Sequence, residues 1–186
     1  MALPEKCPLC FAGMERQSVV TPHVFGAKGS CRRAFFYCEN CDVRYQYPGL
    51  TPEEEARFYA VEFEGFMASR AGNAGGWHKA ESHIDANEPN RLRRMAYIEP
   101  LLKKQLSVLE VGCSSGFMLY PLIEAGHKCT GVEPSGVFSE FVKQRGLPVY
   151  GTVDQLRKSE PDTRFDVVMH FFVLEHIAQP LAFLRS

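Results

Sequence analysis

The sequence predicts an α/β protein: a parallel β-sheet of about four strands, preceded by a small cysteine-rich module and a helical connector. Near-continuous apolar runs alternate with helical patterns from Ser107 onward, which is typical of a parallel sheet covered on both faces. Two Cys-x-x-Cys pairs near the N-terminus predict the module. We place the three parts at residues 1–50, 51–104 and 105–186.

The composition is that of a packed protein with balanced charge. Of the 186 residues, 45% are hydrophobic, and the net charge is −1. No apolar run reaches the roughly 18 residues of a membrane span, and the N-terminus lacks the layout of a secretory signal. We therefore expect a soluble, cytoplasmic protein without a membrane partner. The charge balance also argues against a dedicated nucleic-acid binder.

The cysteines of the first part predict a structural zinc site. A two-residue spacer lets both thiolates of a pair reach one tetrahedral ion, and two pairs complete its coordination. The proposed ligands are Cys7, Cys10, Cys38 and Cys41. The alternatives are two disulfides or four unconnected cysteines, but seven cysteines in all favour reduced thiols. The remaining candidates, expected to be buried thiols or a surface histidine, are Cys31, Cys113, Cys129 and His23.

Short strands are expected at 19–25 and 34–37 of this module, and helices in the connector. Thr51 and Glu54 form a capping box that predicts a helix over 53–63. A loop at 71–76 precedes a second helix at 90–104, whose predicted buried side is Leu92, Met95, Ile98, Leu101 and Leu102. A solvated face, or contact with an acidic substrate, explains its basic residues Arg91, Arg93, Arg94, Lys103 and Lys104.

The third part alternates strands with helices. The predicted strands are 107–111, 128–133, 147–150 and 165–170. The predicted helices are 117–125, 136–145 and 154–158. Pro121 lies inside the first of these helices, where it removes one hydrogen bond.

The turn after the first of these strands carries a ligand-binding pattern. Gly112 ends the strand and Gly116 opens the helix, whose free N–H groups suit an anion such as an amino-acid carboxylate. Glu110 lies within the apolar strand. A buried carboxylate costs several kcal/mol unless it is paired. A cationic ligand amine would supply that pairing.

A second acidic residue predicts a ribose contact. Glu133 lies 21 residues beyond Gly112, close to the spacing of about 20 expected in a Rossmann-like dinucleotide fold. The alternative is a charged strand end that faces solvent. A dinucleotide would require glycines where Ser114 and Phe117 stand. The pattern therefore favours S-adenosylmethionine (SAM) over NAD.

Over roughly residues 92–186 the sequence resembles the class I SAM-dependent methyltransferase family. The resemblance is carried by VLEVGCSSGFML (108–119), GVEPS (131–135) and FDVVMHFFVLEHIAQPLAFL (165–184). It implies a site in which 110–116 surrounds the methionine part, Glu133 holds the ribose and 151–154 lies by the adenine. The implied cofactor-binding residues are Glu110, Gly112, Cys113, Ser114, Gly116, Glu133, Pro134, Thr152, Val153, Asp154 and His170. Ser114 replaces the glycine usual in the family.

The first part is similar to zinc-ribbon-bearing methyltransferases of bacterial polysaccharide and secondary-metabolite gene clusters. CPLC and YCENCDVRYQYPGLTPEEEARFYAVEFEGF carry this resemblance. It implies methylation of a sugar or small metabolite. Full family members complete a seven-stranded sheet, so we expect a fragment of the catalytic domain. The alternative is a non-catalytic zinc-ribbon module that binds SAM; an RNA methyltransferase is disfavoured by the charge balance.

Two histidines are candidate catalytic bases. His170 and His176 lie at or after the last predicted strand, on the side where such sheets bind ligands. A histidine has a suitable pKa for abstracting a proton from an acceptor. The strand end from His170 would face the methyl group. For Phe171 and Phe172 the expectation is core packing, and the alternative is that one ring lines the adenine pocket. For Tyr59, Trp77 and His78 the alternatives are ordinary packing and a lid over the SAM site.

Overall fold

The computed structural model describes residues 3–21, 33–62, 65, 80–102, 104–177 and 179–185. The chain forms two compact units, one of Met1–Glu55 with Ile177–Ser186 and one of Ala56–His176. The three-part division made from the sequence stays a prediction. Among the described helices, none has the length and hydropathy needed to span a bilayer. Several residues singled out above lie outside the described part: 22–25, Cys31, His23, Phe63, 71–76, Trp77, His78 and Lys103.

The first unit contains a three-stranded antiparallel sheet, in the order β1-β2-β3. Its strands are β1 (Gln17–Thr21), β2 (Ala34–Cys38) and β3 (Val43–Tyr47). The second strand was expected, and the first begins two residues earlier than predicted. The third strand was missed, although Val43–Tyr47 alternates apolar and polar residues as a half-buried strand does. Because it pairs with β2, the second cysteine pair lies at the turn between these two strands.

Helical segments precede and follow this sheet along the chain. A 3₁₀ turn, Met14–Arg16, precedes β1, and α1 (Pro52–Arg57) follows the sheet. The predicted capping box is confirmed, because the Glu54 N–H donates to Thr51 Oγ1 at 3.2 Å and the Thr51 N–H donates to Glu54 Oε2 at 2.9 Å. The helical path continues as a π-helical segment, Phe58–Glu62. A last helix, α7 (Pro180–Arg185), belongs to the same unit as the sheet.

The second unit contains the predicted parallel sheet, in the order β6-β5-β4-β7. Its strands are β4 (Ser107–Val111), β5 (Lys128–Val132), β6 (Val149–Tyr150) and β7 (Val167–His170). The first agrees with the prediction, and the others are one or two residues shorter. All pairings are parallel, so the predicted α/β class is confirmed.

Helices flank this sheet. They are α2 (Ala80–Ala86), α3 (Glu88–Ile98), α4 (Leu119–Glu124), α5 (Gly136–Gln144) and α6 (Val153–Ser159). Pro121 is the third residue of α4. It costs no helical hydrogen bond there, because N–H groups of the first turn have no partner within a helix. The buried core includes Val108, Met118, Leu119, Leu122, Val142 and Met169.

The connector differs from its prediction. The helix α2 was missed, and α3 ends at Ile98 in a 3₁₀ turn, Glu99–Leu101, instead of continuing to 104. Ile98 is buried, but Leu92 and Leu101 are each 58% exposed, so their assignment to the buried side was wrong. Arg94 lies on the inner side instead, where its guanidinium packs on aromatic rings.

Candidate functional site

The four cysteines of the two Cys-x-x-Cys pairs come together in the first unit. Their sulfur atoms all lie within 4.8 Å of one another. Cys7 Sγ is 3.7 Å from Cys41 Sγ, and Cys10 Sγ is 3.6 Å from Cys38 Sγ. These thiols are free, since a disulfide bond would hold two sulfurs about 2.05 Å apart. A tetrahedral zinc ion with Zn–S bonds of about 2.3 Å separates its sulfurs by about 3.8 Å. The cluster therefore fits such an ion.

Two similar turns present these thiols. A residue with left-handed backbone follows the second cysteine of each pair: Phe11, at φ 61°, and Asp42, at φ 54°. The turn of the first pair is closed by Cys7, whose N–H donates to Ala12 O at 2.9 Å. The Leu9 N–H points at Cys7 Sγ, at 3.4 Å. Backbone N–H groups directed at sulfur favour thiolates, the form in which cysteine binds metals.

Buried Gln17 supports the cluster and was not found from the sequence. Its Nε2 lies 3.5 Å from Cys38 Sγ and also donates to the carbonyls of Ala12 and Gly13. Its Oε1 accepts from Tyr45 OH at 2.9 Å. A buried amide with all of these partners holds a ligand sulfur in place, as the outer contacts of metal sites do. No sequence motif distinguishes this glutamine from a surface residue.

The thiols cannot all ionise without a cation between them. Hydrogen bonding, first to the backbone of Ala12, lowers the pKa of Cys10 to about 6. Burial, together with its three thiol neighbours, raises the pKa of Cys41 to about 12. A divalent ion would offset the repulsion between neighbouring thiolates. The other two described cysteines are buried elsewhere, and burial raises the pKa of Cys113 and raises that of Cys129 to about 11.

In the second unit, the carboxyl ends of the parallel strands form one edge. Val111 at the end of β4 pairs with Val132 of β5 and with His170 of β7. Val132 in turn pairs with Tyr150 of β6. The segments that follow these four residues therefore begin side by side. They contain the residues that the sequence associates with a nucleotide.

The turn after β4 has an unusual backbone. Left-handed residues alternate along it: Gly112 at φ 75°, Ser114 at φ 50° and Gly116 at φ 76°. The N–H groups of residues 112, 113 and 116 each donate to a backbone carbonyl within this region. A side chain at Gly112 is excluded as well, because its Cβ would lie 2.5 Å from Val173 Cγ2. Ser114, unlike the two glycines, carries a side chain in this strained conformation.

Glu110 is buried beneath this turn. It is 1% exposed, and its Oε2 accepts no hydrogen bond from the described residues. Burial raises its pKa well above the usual value, against the opposing charge of Arg94, and Glu133 adds to the rise. An unpartnered buried carboxylate is costly in the free protein. A cationic group brought by a ligand would remove that cost.

Glu133 joins the turn to the end of β5. Its Oε2 accepts from the Ser114 N–H at 2.7 Å, and its Oε1 accepts from the Ser135 N–H at 2.8 Å. It is 7% exposed, so the alternative of a charged strand end facing solvent does not hold. Burial raises its pKa, partly offset by these two N–H groups. A carboxylate has about four acceptor positions, so two remain for hydroxyl donors.

Two residues of the connector helices also reach the turn and were missed as site residues. His83 Nδ1 lies 2.9 Å from Ser115 Oγ. The Arg94 guanidinium lies over the ring of Phe117 at 5.2 Å, as well as over two rings after β7. The prediction that Arg94 lies on a solvated face of its helix was therefore wrong. The signal available in the sequence was a basic residue at helical spacing from buried Ile98.

The remaining predicted cofactor residues lie at the same edge but are more exposed. Thr152 caps α6 by accepting from the Gln155 N–H at 3.1 Å. Asp154 is exposed in the first turn of that helix, and Val153 is half-buried. Pro134 is exposed next to Glu133.

The candidate bases lie at the end of β7. His170 is the last residue of the strand and is half-buried. His176 is exposed at the end of a 3₁₀ turn, Leu174–His176, and its ring meets that of Tyr59 edge-on at 6.4 Å. Phe172 is 67% exposed, so core packing was wrong for this residue. Its ring instead stacks on Arg94 at 5.2 Å.

The chain is similar in sequence to curated methyltransferases. A ubiquinone biosynthesis O-methyltransferase of Rhizobium rhizogenes is 34% identical over 86 residues, which are 44% of this chain and 35% of that protein. One of Methylobacterium nodulans is 33% identical over 92 residues, 47% of this chain and 37% of that protein. The chain thus spans about a third of the length of the curated relatives it matches.

Solved structures that are similar to this chain include a magnesium protoporphyrin IX methyltransferase from Synechocystis PCC 6803 with bound SAM. It has a TM-score of 0.43 and 17% identity, covering 66% of this chain and 62% of that one. A plantazolicin methyltransferase with bound S-adenosylhomocysteine (SAH) has a TM-score of 0.44 and 18% identity, covering 72% and 55%. A family model described as "Methyltransferase domain" matches residues 77–186, which is more than half of the chain. The chain belongs to this family of methyltransferase domains.

Proposed function

We propose that this chain is the SAM-binding part of a methyltransferase that acts on a sugar or another small molecule. One observation carries the proposal: Glu133 Oε2 accepts from the Ser114 N–H at 2.7 Å. This contact joins the turn expected to hold an amino-acid tail to the acid expected to hold a ribose. A ligand that carries both groups would bind across the two.

Each charged group at the carboxyl edge of the parallel sheet would have a partner in such a ligand. Glu110, buried and unpartnered at Oε2, would receive the ligand amine. The guanidinium of Arg94 would receive its carboxylate. Glu133 would accept from the ribose hydroxyls, and 151–154 would lie along the adenine.

The bound cofactor supplies a methyl group on a cationic sulfur, open to displacement. Because the reaction is a displacement, most of the rate enhancement comes from holding the acceptor in line with that methyl group. The end of β7 is the proposed place for the acceptor. His170 and His176 are the proposed bases where the acceptor must lose a proton.

The proposed acceptor class rests on the relatives and on the charge balance. The curated relatives are named as O-methyltransferases of ubiquinone biosynthesis, which supports an acceptor with a hydroxyl group. The net charge of −1 supports a small molecule over a nucleic acid. The alternative is a module that binds SAM without transferring its methyl group.

We also propose that Cys7, Cys10, Cys38 and Cys41 bind a structural zinc ion. Sulfur separations of 3.6 and 3.7 Å support tetrahedral coordination. Four protein ligands leave no open position for a substrate. The ion would stabilise the first unit, whose buried core consists of two of these cysteines with Ala34, Phe36 and Tyr45.

Calorimetry with SAH tests the cofactor site. The wild-type chain is expected to bind, and Glu133→Ala is expected to weaken binding more than about tenfold, because charge-assisted hydrogen bonds are each worth about 1.5–3 kcal/mol. Glu140→Ala is the matched control, since Glu140 is an exposed carboxylate on α5. No binding by zinc-loaded, folded protein would overturn the cofactor proposal. Equal affinities of wild type and Glu133→Ala would overturn the role of Glu133.

Transfer from labelled SAM to a panel of hydroxyl-bearing acceptors separates the two candidate functions. Labelled product supports a methyltransferase, whereas SAH binding without any transfer supports the binding module. Metal analysis tests the zinc proposal separately. We expect one zinc ion per chain, lost in Cys10→Ser together with the structure of the first unit. A metal content unchanged by that substitution would contradict the site.

A further inference from the structure

The histidine of α2 is placed between the two segments proposed to hold the nucleotide. His83 Nδ1 lies 2.9 Å from Ser115 Oγ, within the turn that follows β4. Its ring also meets that of Phe138 on α5, with centroids 5.0 Å apart. Helix α5 begins directly after Glu133 and Ser135. One side chain thus contacts both the turn and the helix that follows β5.

The same imidazole connects α2 and α3 to the turn. Phe117 contacts both helices: its ring centroid lies 5.8 Å from that of His83 on α2 and 5.2 Å from the guanidinium carbon of Arg94 on α3. Asn87 joins the two helices rigidly, because its N–H and its Nδ2 both donate to the carbonyl of His83. Its own carbonyl accepts from the Arg91 N–H at 2.8 Å in α3. The pair of helices therefore reaches the turn at two points.

Ser115 has no access to water that would replace this contact. It is 0% exposed, so loss of the His83 bond would leave a buried hydroxyl without that partner. An unsatisfied buried polar group costs about 1–3 kcal/mol. The cost can be relieved by movement of the turn, which would disturb the hydrogen bond from the Ser114 N–H to Glu133 Oε2. The contact consequently holds the turn in its ligand-binding shape.

We propose that His83 is a positioning residue of the cofactor site: in its neutral form it holds Ser115 and keeps α2 and α3 closed over the turn. The inference rests on the proposed binding of SAM. A proton on the imidazole would place a second positive charge against Phe117, next to Arg94. Acidification is therefore expected to loosen the helices and weaken cofactor binding.

The groups around the imidazole fit this behaviour. From the turn it faces Ser115 and Phe117, from α5 Phe138, and from α3 the charge of Arg94. Burial, followed by the charge of Arg94, lowers the pKa of His83 from its usual value. Glu110 and Glu133 border the same turn from the sheet. They are present in all variants considered below, so a difference between variants reports on His83.

The test is calorimetry of the full zinc-loaded chain with SAH between pH 5.5 and pH 7.5. His83→Phe keeps a ring but loses the hydrogen bond, and Ser115→Ala loses the other partner. Each is expected to weaken binding about tenfold at pH 7.5, and the double variant is expected to be no weaker than either one. His83→Asn keeps a hydrogen-bonding atom near the place of Nδ1. It should bind within about threefold of wild type, on the scale of one retained hydrogen bond.

The pH profile separates positioning from a purely structural role. Wild-type affinity should fall as the pH decreases from 7.5 towards 5.5, whereas His83→Asn should have a flatter profile because asparagine does not titrate. His127→Asn is the matched control, since His127 contacts the Leu106 N–H at the amino end of β4. It should keep the wild-type profile.

The outcomes distinguish this inference from the proposed function. If wild type binds SAH but His83→Asn and wild type have the same profile, the positioning role is refuted and the cofactor site stands. Additive losses in the double variant would likewise refute the coupling of His83 to Ser115. If wild type does not bind SAH at any pH, the proposed function fails, and this inference with it.

Discussion

Replacing Ser114 with glycine is expected to stabilise the protein. Ser114 has φ 50°, and a left-handed backbone costs a residue with a side chain about 1–2 kcal/mol. Glycine removes that cost but adds freedom to the unfolded chain, worth about 0.5–1 kcal/mol. The net gain is about 0.5–1 kcal/mol. The bond from Ser114 to Glu133 uses the backbone N–H, so glycine retains it.

The adjacent Ser115 provides the matched control. It has no positive φ, so glycine relieves no strain there, and it loses the hydroxyl bonded to His83. Ser115→Gly should therefore be less stable by about 1–2 kcal/mol. The same chemical change on neighbouring residues is thus expected to have opposite signs.

Thermal unfolding of the zinc-loaded protein, followed by circular dichroism, measures both variants. For a chain of this size, 1 kcal/mol corresponds to about 2–4 °C in Tm. Ser114→Gly should raise Tm by about 1–4 °C and Ser115→Gly should lower it. A lower Tm for Ser114→Gly, or shifts of the same sign in both, would refute the assignment of backbone strain to Ser114.

Three further predictions concern buried groups. Glu110→Gln should become more stable relative to wild type as the pH rises above about 4.5, because the raised pKa of Glu110 stabilises the folded state only while its carboxyl is protonated. The same substitution should weaken SAH binding. A difference in Tm between the two proteins that does not change with pH would contradict the stability prediction. Gln17→Leu should weaken zinc binding about 10–100-fold in competition with a chromophoric chelator, by removing the contact to Cys38; unchanged affinity would argue against its supporting role. Ile98→Ala should lower the free energy of unfolding, measured with denaturant, by about 2–5 kcal/mol, whereas Leu92→Ala should lower it by less than about 0.5 kcal/mol. Equal losses would indicate that Leu92 is buried, as the sequence pattern had predicted.

The strand and helix order followed from local patterns, but the faces of the connector helices did not. Apolar runs of the right length and the glycines around them predicted β4 and β5 closely, because a buried parallel strand is apolar on both sides. In α3, Arg94 occupies an inner position that periodicity reserves for an apolar residue. It is accommodated by three aromatic rings, two of which lie far along the chain after β7. The periodicity of the α3 sequence gives no information about contacts with residues so far away in the chain.

The ligand-binding groups show the same division. The spacing between Gly112 and Glu133 predicted that both belong to one site, since both follow strands of a parallel sheet. The hydrogen bond from the Ser114 N–H to Glu133 Oε2 depends on the left-handed conformation of Ser114, which local propensity disfavours for a residue with a side chain. The contact of His83 with Ser115 was not foreseeable either, because it links residues 32 positions apart through packing.

Local chemistry in the chain was enough to establish the α/β class, the capping box of α1, the two cysteine pairs and the acidic residues at the carboxyl edge of the parallel sheet. These features depend on residue type and short-range spacing. Folding was needed to bring the four sulfurs within 4.8 Å, to bury Glu110 with no hydrogen bond to its Oε2 from the described residues, and to set His83 and Arg94 against the turn. Those properties arise from contacts between segments far apart in the chain, and their energies depend on burial, which a residue acquires only when its neighbours exclude water.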